Sequence, residues 1–366
     1  MAAGKYWILR ELAMDKKRAE PAVEVTLAAG LPDEIDAVAG RADPRHAFLR
    51  RAWFAAARPE APATLLAGRA DGRLIAAVPL GRTGPRLLGW TAVPGCYWPY
   101  RSFPVAADAG DAELAALLAH PVARRALGPV WRLGPVYADD PTAGRLARLA
   151  ASSGWTALPR RIATAFHFDM AAQRAAGAWP RTSTLKKNRF FEKHLGQSGE
   201  LGFRFVSGAE WTPETFDSLA SIEARSWIPK ETGGGDAKFL APHHRRFWEE
   251  AAKDPAIAAM LHAAILTIGG EPVAFAFDLD AGTLKYAIAN SYDEAFAKRS
   301  PGRVLAYRSL PAAAERGIEQ VDWGAGDSGY KRTLGAEAGP EILDYLFVRN
   351  PALAALLSPW WTRSGR

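Results

Sequence analysis

The chain has 366 residues, with 49% hydrophobic residues, a single cysteine (Cys96) and 46 lysines and arginines against 39 acidic residues. This length and apolar content fill two cores of roughly 150–200 residues each, and one cysteine excludes a disulfide framework or a cysteine-ligated metal. The net charge of +7 fits either a solvated basic surface or attraction to a polyanion such as a nucleotide cofactor, tRNA or an anionic membrane.

The N-terminus shows no basic segment leading into an apolar run, and no window approaches about 18 uninterrupted apolar residues. A soluble, cytoplasmic protein without a membrane span is therefore expected. Residues 5–20 are mixed and charged with no core face, as in a strap or lead-in. From Pro21 onward, two halves follow one order of features about 190 residues apart. The first half predicts an aromatic helix over 47–54, then a hairpin of 63–69 and 74–80 around Asp71-Gly72. A helix near 113–120, a strand at 130–133 and a helix at 142–151 follow.

Between the halves lie a strand at 164–169 and the basic run Ser183-Thr184-Leu185-Lys186-Lys187-Asn188-Arg189-Phe190-Phe191-Glu192-Lys193. Ser183 is a candidate N-cap. Lys186, Arg189 and Lys193 then share one helix face, which serves either as a solvated surface or as a phosphate platform. The second half predicts an aromatic helix through Phe239, His243, Phe247 and Trp248, followed by strands at 261–268, 272–279 and 283–289. A helix at 303–316, a strand at 318–323 and a last strand at 342–348 complete it. The tail 351–366, with Trp360-Trp361, reads as a helix covering core or as a contact to a membrane or second subunit. The expected fold is mixed α/β, with two tandem units over 1–165 and 166–350.

Two segments carry chemistry. Asp322-Trp323-Gly324-Ala325-Gly326-Asp327-Ser328-Gly329-Tyr330-Lys331 runs from a strand into a glycine-rich loop, delivering a phenol and an ammonium side by side. Lys298-Arg299-Ser300-Pro301-Gly302-Arg303-Val304 lies between a strand and a helix. Its helix N-terminus and the arginines flanking Gly302 suit a phosphate, although a plain turn with solvated arginines fits equally. His243-His244 lacks partners at metal spacing, so catalytic zinc is not expected. No nucleophile elbow or Walker loop occurs. Gly324-Ala325-Gly326 lacks the downstream helix and acidic residue of a dinucleotide fingerprint.

The order of these pieces resembles the double-GNAT acyltransferases, and within them the CelD/BioF-type acetyltransferase-like family, related to Fem-type aminoacyl transferases. The resemblance rests on Leu185-Lys186-Lys187-Asn188-Arg189, Arg225-Ser226-Trp227, Gly270-Glu271-Pro272-Val273-Ala274, Ser300-Pro301-Gly302, and Asp322-Trp323-Gly324 leading to Tyr330-Lys331. In the first half it rests on Val78-Pro79-Leu80 and Tyr97-Trp98-Pro99-Tyr100, as in a degenerate N-terminal domain. It implies two tandem GNAT-like domains and direct acyl transfer from acyl-CoA to an amine, without a metal or a covalent enzyme intermediate. Lys331 is implied as the group that stabilises the tetrahedral oxyanion or an adjacent phosphate, with Tyr330 or Tyr292 as donor to the leaving group and Asp278 or Asp327 as base. Arg299, Ser300, Gly302, Arg303 and Val304 would form the acyl-CoA loop, and Trp227, Tyr292, Lys186 and Arg189 would line the acceptor side. Val304 departs from the small residue usual at its position, which leaves room for an aminoacyl-tRNA donor. A non-catalytic double-GNAT binding protein is the third alternative. The expected partner is a small-molecule or glycan-precursor amine, with tRNA under the alternative and no DNA.

Overall fold

The computed structural model describes residues 23–84, 89–95, 100–326 and 329–363. The expected lead-in at 5–20, Cys96, the Tyr97-Trp98-Pro99 segment and Asp327 lie outside the described residues. In chain order the strands are β1 (Val23–Ala29), β2 (Ala63–Arg69), β3 (Leu74–Arg82), β4 (Thr91–Ala92), β5 (Val130–Tyr137) and β6 (Thr156–Asp169). The second half contributes β7 (Leu201–Val206), β8 (Leu261–Ile268), β9 (Glu271–Ala281), β10 (Leu284–Tyr292), β11 (Gln320–Ala325) and β12 (Glu337–Val348).

Apolar patterning locates most of these elements, but several strands run further than it suggests. The strand expected at 164–169 is the end of the fourteen-residue β6, and the strand expected at 342–348 begins at Glu337. Polar residues hide both extensions because they pair across strands: Arg161 on β6 meets Glu341 on β12 at 2.6 Å. The aromatic helix expected over 47–54 is a 3-10 turn, Pro44–His46, followed by the short helix Arg51–Ala56. The basic helix spans Thr182–Gly196 with Arg181 in the N-cap position, so Ser183 sits inside its first turn and does not cap it.

The twelve strands of the described residues form one sheet, ordered β1-β2-β3-β4-β5-β12-β6-β11-β10-β9-β8-β7. In each half, four strands run antiparallel and the fourth lies parallel to the fifth, β4 beside β5 and β10 beside β11. The anticipated repeat is thus a repeat of sheet topology. The sixth strands are exchanged. β6 pairs with β11 of the second half, β12 pairs with β5 of the first, and β6 and β12 pair with each other. Each half is completed by the other's last strand, so no sheet edge is left open between them. The boundary expected at residue 165 falls inside β6.

A buried charge cluster marks this junction. Asp344 on β12, with no exposed surface, accepts from Arg132 on β5 at 2.8 Å and from Arg160 on β6 at 2.5 Å. The sheet faces pack differently. Helices Thr182–Gly196 and Pro301–Glu315 cover one face through Leu195, Val304 and Leu305 against Ala264, Leu266 and Ala274. The opposite face holds helices Pro213–Ala224 and Pro242–Ala251, together with Phe48, Trp53 and Tyr100 from the first half. Trp53 meets Phe247 at 4.9 Å between centroids, so a single aromatic core spans both halves. The tail helix Pro351–Arg363 does cover core: Ala354 and Trp361 pack on Val130, Leu346 and Val348.

Candidate functional site

Parallel β10 and β11 pair only at Leu284–Gln320, Lys285–Val321 and Tyr286–Asp322. Both strands continue, β10 to Tyr292 and β11 to Ala325, and a register shift at Ile288 turns β10 aside. The strands therefore part at their carboxyl ends. Openings at the carboxyl ends of parallel strands are where α/β sheets receive ligands.

One lip of the opening is the turn into helix Pro301–Glu315. Ser300 takes a left-handed conformation, φ 50° and ψ 52°, costly for a residue with a Cβ. Its carbonyl accepts from the N–H groups of Arg303 and Val304 at 3.1 and 3.2 Å. Pro301 has no N–H, so Gly302 supplies the remaining donor of that turn. A Cβ on Gly302 would lie 3.3 Å from the Tyr292 ring, so the glycine lets the last residue of β10 pack directly on the helix start. Nε of Arg303 is buried and has no hydrogen-bond partner among the described residues. Arg299 donates to Ser198, just beyond the basic helix, and Arg308 pairs with Glu192 within it.

The other lip is the end of β11. Lys331 is 6% exposed, and its Nζ donates to the carbonyls of Ala325 at 2.7 Å and Gly324 at 3.2 Å. Positive φ values at Gly324, Gly326 and Gly329 make the tight reversal that brings Lys331 back onto the strand end. Tyr330 opens the short helix Tyr330–Thr333. Gly302 and Lys331 thus stand at one edge of the sheet, on either side of the parting strands.

Side chains alternate along strands, so Tyr286, Asp322 and His167, which face one another in register on β10, β11 and β6, share one face of the sheet. It is the face opposite helix Pro301–Glu315. Asp322 is buried, its Oδ2 lies 3.3 Å from His167 Nε2, and its Oδ1 accepts the Gly324 N–H at 2.6 Å. Gly324 therefore joins the two groups, carrying Asp322 on its N–H and Lys331 on its carbonyl. Burial alone would lower the His167 imidazole, but the Asp322 carboxylate beside it holds it above its ordinary value. Tyr137 and Tyr286, stacked at 6.0 Å, are raised well above the usual phenol by burial and then by Asp322. With Arg45, His46, Asp139 and Asp140 they enclose about 20 Å³, room for one water.

The remaining expected site residues are distributed differently. Asp278 is not at the opening. It lies on the helix-covered face, 2.5 Å from the buried Lys285, and lines a separate pocket of about 140 Å³ with His262, Ser309 and Arg316. Burial raises its carboxyl against the pull of Lys285. Val304 is fully buried under its helix, so its side chain points into the core and does not obstruct the turn. Trp227 opens helix Ile228–Thr232 beside the 293–299 turn, to which Arg225–Asp293 at 2.7 Å and Lys230–Glu294 fasten it. Lys186, Arg189 and Lys193 are exposed on one side of their helix. Sequence patterning missed His167, Tyr137 and the Arg45–Asp140 group. The one local signal was a lone histidine in the aromatic strand Phe166-His167-Phe168.

Among the described residues no group of three or more histidines, cysteines or carboxylates is placed to hold a metal, and no helix is long and apolar enough to cross a membrane. Residues 182–332 match the family model described as an acetyltransferase (GNAT) domain. No curated protein matches the chain. Among solved structures, FemX is 13% identical, with 92% of this chain and 100% of that one covered at a TM-score of 0.60. A Bacteroides thetaiotaomicron protein of unknown function is 14% identical, covering 88% and 99% at 0.56. The C-terminal domain of a candidate lysylphosphatidylglycerol synthetase from Agrobacterium fabrum is 16% identical, covering 88% and 92% at 0.53. At these identities the likeness concerns the fold. Residues 182–332 accordingly carry a GNAT acetyltransferase domain, and the chain as a whole shares its fold with FemX.

Proposed function

We propose that the chain transfers an acyl group from acyl-CoA to an amine, such as an amino sugar or an envelope polysaccharide precursor, within one ternary complex. The observation that carries this reading is the opening between β10 and β11, with the Arg299–Arg303 turn on one lip and Lys331 on the other. Arg299, Arg303 and the Gly302 N–H would hold the pyrophosphate of CoA. The thioester would enter between the parted strands from the helix side, and the amine would approach from the face bearing His167. As the amine nitrogen attacks the carbonyl carbon, His167 takes its proton and Asp322 stabilises the imidazolium. Lys331 faces the oxygen that becomes negative. Collapse breaks the C–S bond, and the thiolate receives a proton from Tyr330 or Tyr292. Trp227 would shape the acceptor pocket.

Calorimetry with CoA and acetyl-CoA tests the donor. Binding that weakens about tenfold in Arg303→Ala is expected, and the absence of heat at millimolar CoA would remove the proposal. One observation favours a second donor. The exposed Lys186-Arg189-Lys193 face leads, through Ser198 and Arg299, to the same turn, as an aminoacyl-tRNA would require. That donor predicts transfer from charged tRNA with a steep salt dependence.

A further inference from the structure

The tail helix Pro351–Arg363 is apolar on both sides. Its inner side is pinned: Trp361 Nε1 donates to the Leu158 carbonyl at 3.0 Å, and the Arg160 guanidinium stacks 4.0 Å above the Trp361 ring. Its outer side shows Ala352, Ala355, Leu356, Pro359 and Trp360, a continuous stripe at helical spacing. Leu356 is 75% and Trp360 55% exposed. A helix that only covers core carries polar residues outward, and a solvent-facing apolar stripe marks an interaction surface.

Charge indicates the occupant. No aspartate or glutamate occurs after Asp344, whereas Arg349, Arg363 and Arg366 follow it. Arg349 donates to the Arg124 carbonyl at 3.2 Å, which brings the exposed Arg125 to the start of the same helix. Apolar insertion groups, a tryptophan with a polar indole N–H, and a cationic margin are the components of a helix lying in a phospholipid interface.

We propose that this helix lies flat in the headgroup layer of an anionic phospholipid bilayer, burying Leu356 and Trp360 while its arginines meet lipid phosphates. With two anchoring side chains and no spanning helix among the described residues, the attachment is reversible. It would keep the sheet opening close to a membrane-borne acceptor or donor, but the inference stands independently of the acyl-transfer reading.

Cosedimentation of the full chain with vesicles is the test. One set is phosphatidylcholine alone, and the other is an equimolar mixture with phosphatidylglycerol. Binding to the mixed vesicles is expected, weakened by added salt and reduced about tenfold or more in the Leu356→Ser/Trp360→Ser double variant. Both side chains are exposed, so thermal unfolding of the variant should match the parent. Leu356→Glu provides a second variant at the most exposed position. Absence of binding, or equal binding by parent and variants, would overturn the proposal. So would a dimer in light scattering that the double variant dissociates, which would assign the stripe to a second copy of the chain.

Discussion

Replacing Asp344 by asparagine tests whether the two halves fold as one body. Its carboxylate has no exposed surface and serves two arginines at once, taking Nε and Nη2 of Arg132 at 2.9 and 2.8 Å and Nη2 of Arg160 at 2.5 Å. Asparagine preserves the shape but removes the anion and turns an amide N–H₂ toward a guanidinium. Breaking a buried ion pair from one side costs about 3–5 kcal/mol. Arg132 keeps 28% of its side-chain surface in water and Arg160 retains its stacking on Trp361, so the lower end, about 3 kcal/mol, is expected. Urea unfolding followed by far-ultraviolet dichroism and tryptophan fluorescence should show one transition at a lower midpoint, with unchanged slope. The control is Asp344→Leu with Arg132→Met and Arg160→Met, which should recover most of the stability because no charge is then stranded. Two transitions, only one of them shifted, would show that the halves unfold independently and refute the strand-exchange argument. A loss under about 1 kcal/mol would refute the energetics.

The pH dependence of stability should reveal His262. Burial pushes its imidazole down to about 4, against the pull of Asp280. The fold therefore favours the neutral ring, and stability is lost as pH falls from about 6.5 towards 4, by at most roughly 3 kcal/mol. His262→Gln should flatten that window, and an unchanged acid slope in denaturant titrations would contradict the assignment. With a working acyl acceptor, kcat/KM should rise through a limb above pH 6.5 set by His167. Asp322→Asn should move that limb to lower pH, and a limb indifferent to both Asp322→Asn and His167→Gln would exclude the dyad as base. The buried Glu223 carboxylate accepts the backbone N–H groups of Lys238, Phe239 and Leu240 at 2.8–2.9 Å. Glu223→Gln should cost about 1–3 kcal/mol and speed amide exchange at 238–240. Unaltered exchange there would show that the carboxylate does not hold the loop. Gly302→Ala places a Cβ against Tyr292 and should weaken CoA in calorimetry while leaving thermal unfolding nearly unchanged. Equal affinity would dissociate the turn from the donor.

How much of this was written locally can be judged element by element. The hairpin of β2 and β3 needed only alternating apolar residues around Asp71-Gly72, and helix Pro301–Glu315 needed only its proline-glycine start. The reversal that returns Lys331 to the end of β11 required three glycines at positive φ, all visible in the chain. The Arg299–Arg303 turn and the tyrosine-lysine loop were therefore legible, because tight turns and helix starts depend on residues a few positions apart. The length of β6 was not legible, since Arg160 and Arg161 look like loop residues until Asp344 and Glu341 stand opposite them.

The sequence by itself determined most of the elements, the topological repeat and the two turns that frame the opening. Only the tertiary structure decided that β6 and β12 change places, that β10 and β11 part after three pairs, and that His167 lies against Asp322. It also decided that Asp278 serves Lys285 in another pocket and that Val304 faces inward. The division has one physical cause. Helix and turn formation are governed by neighbours along the chain, whereas the partner of a strand and the side-chain row it completes depend on segments far away, brought together only when the shared core is buried.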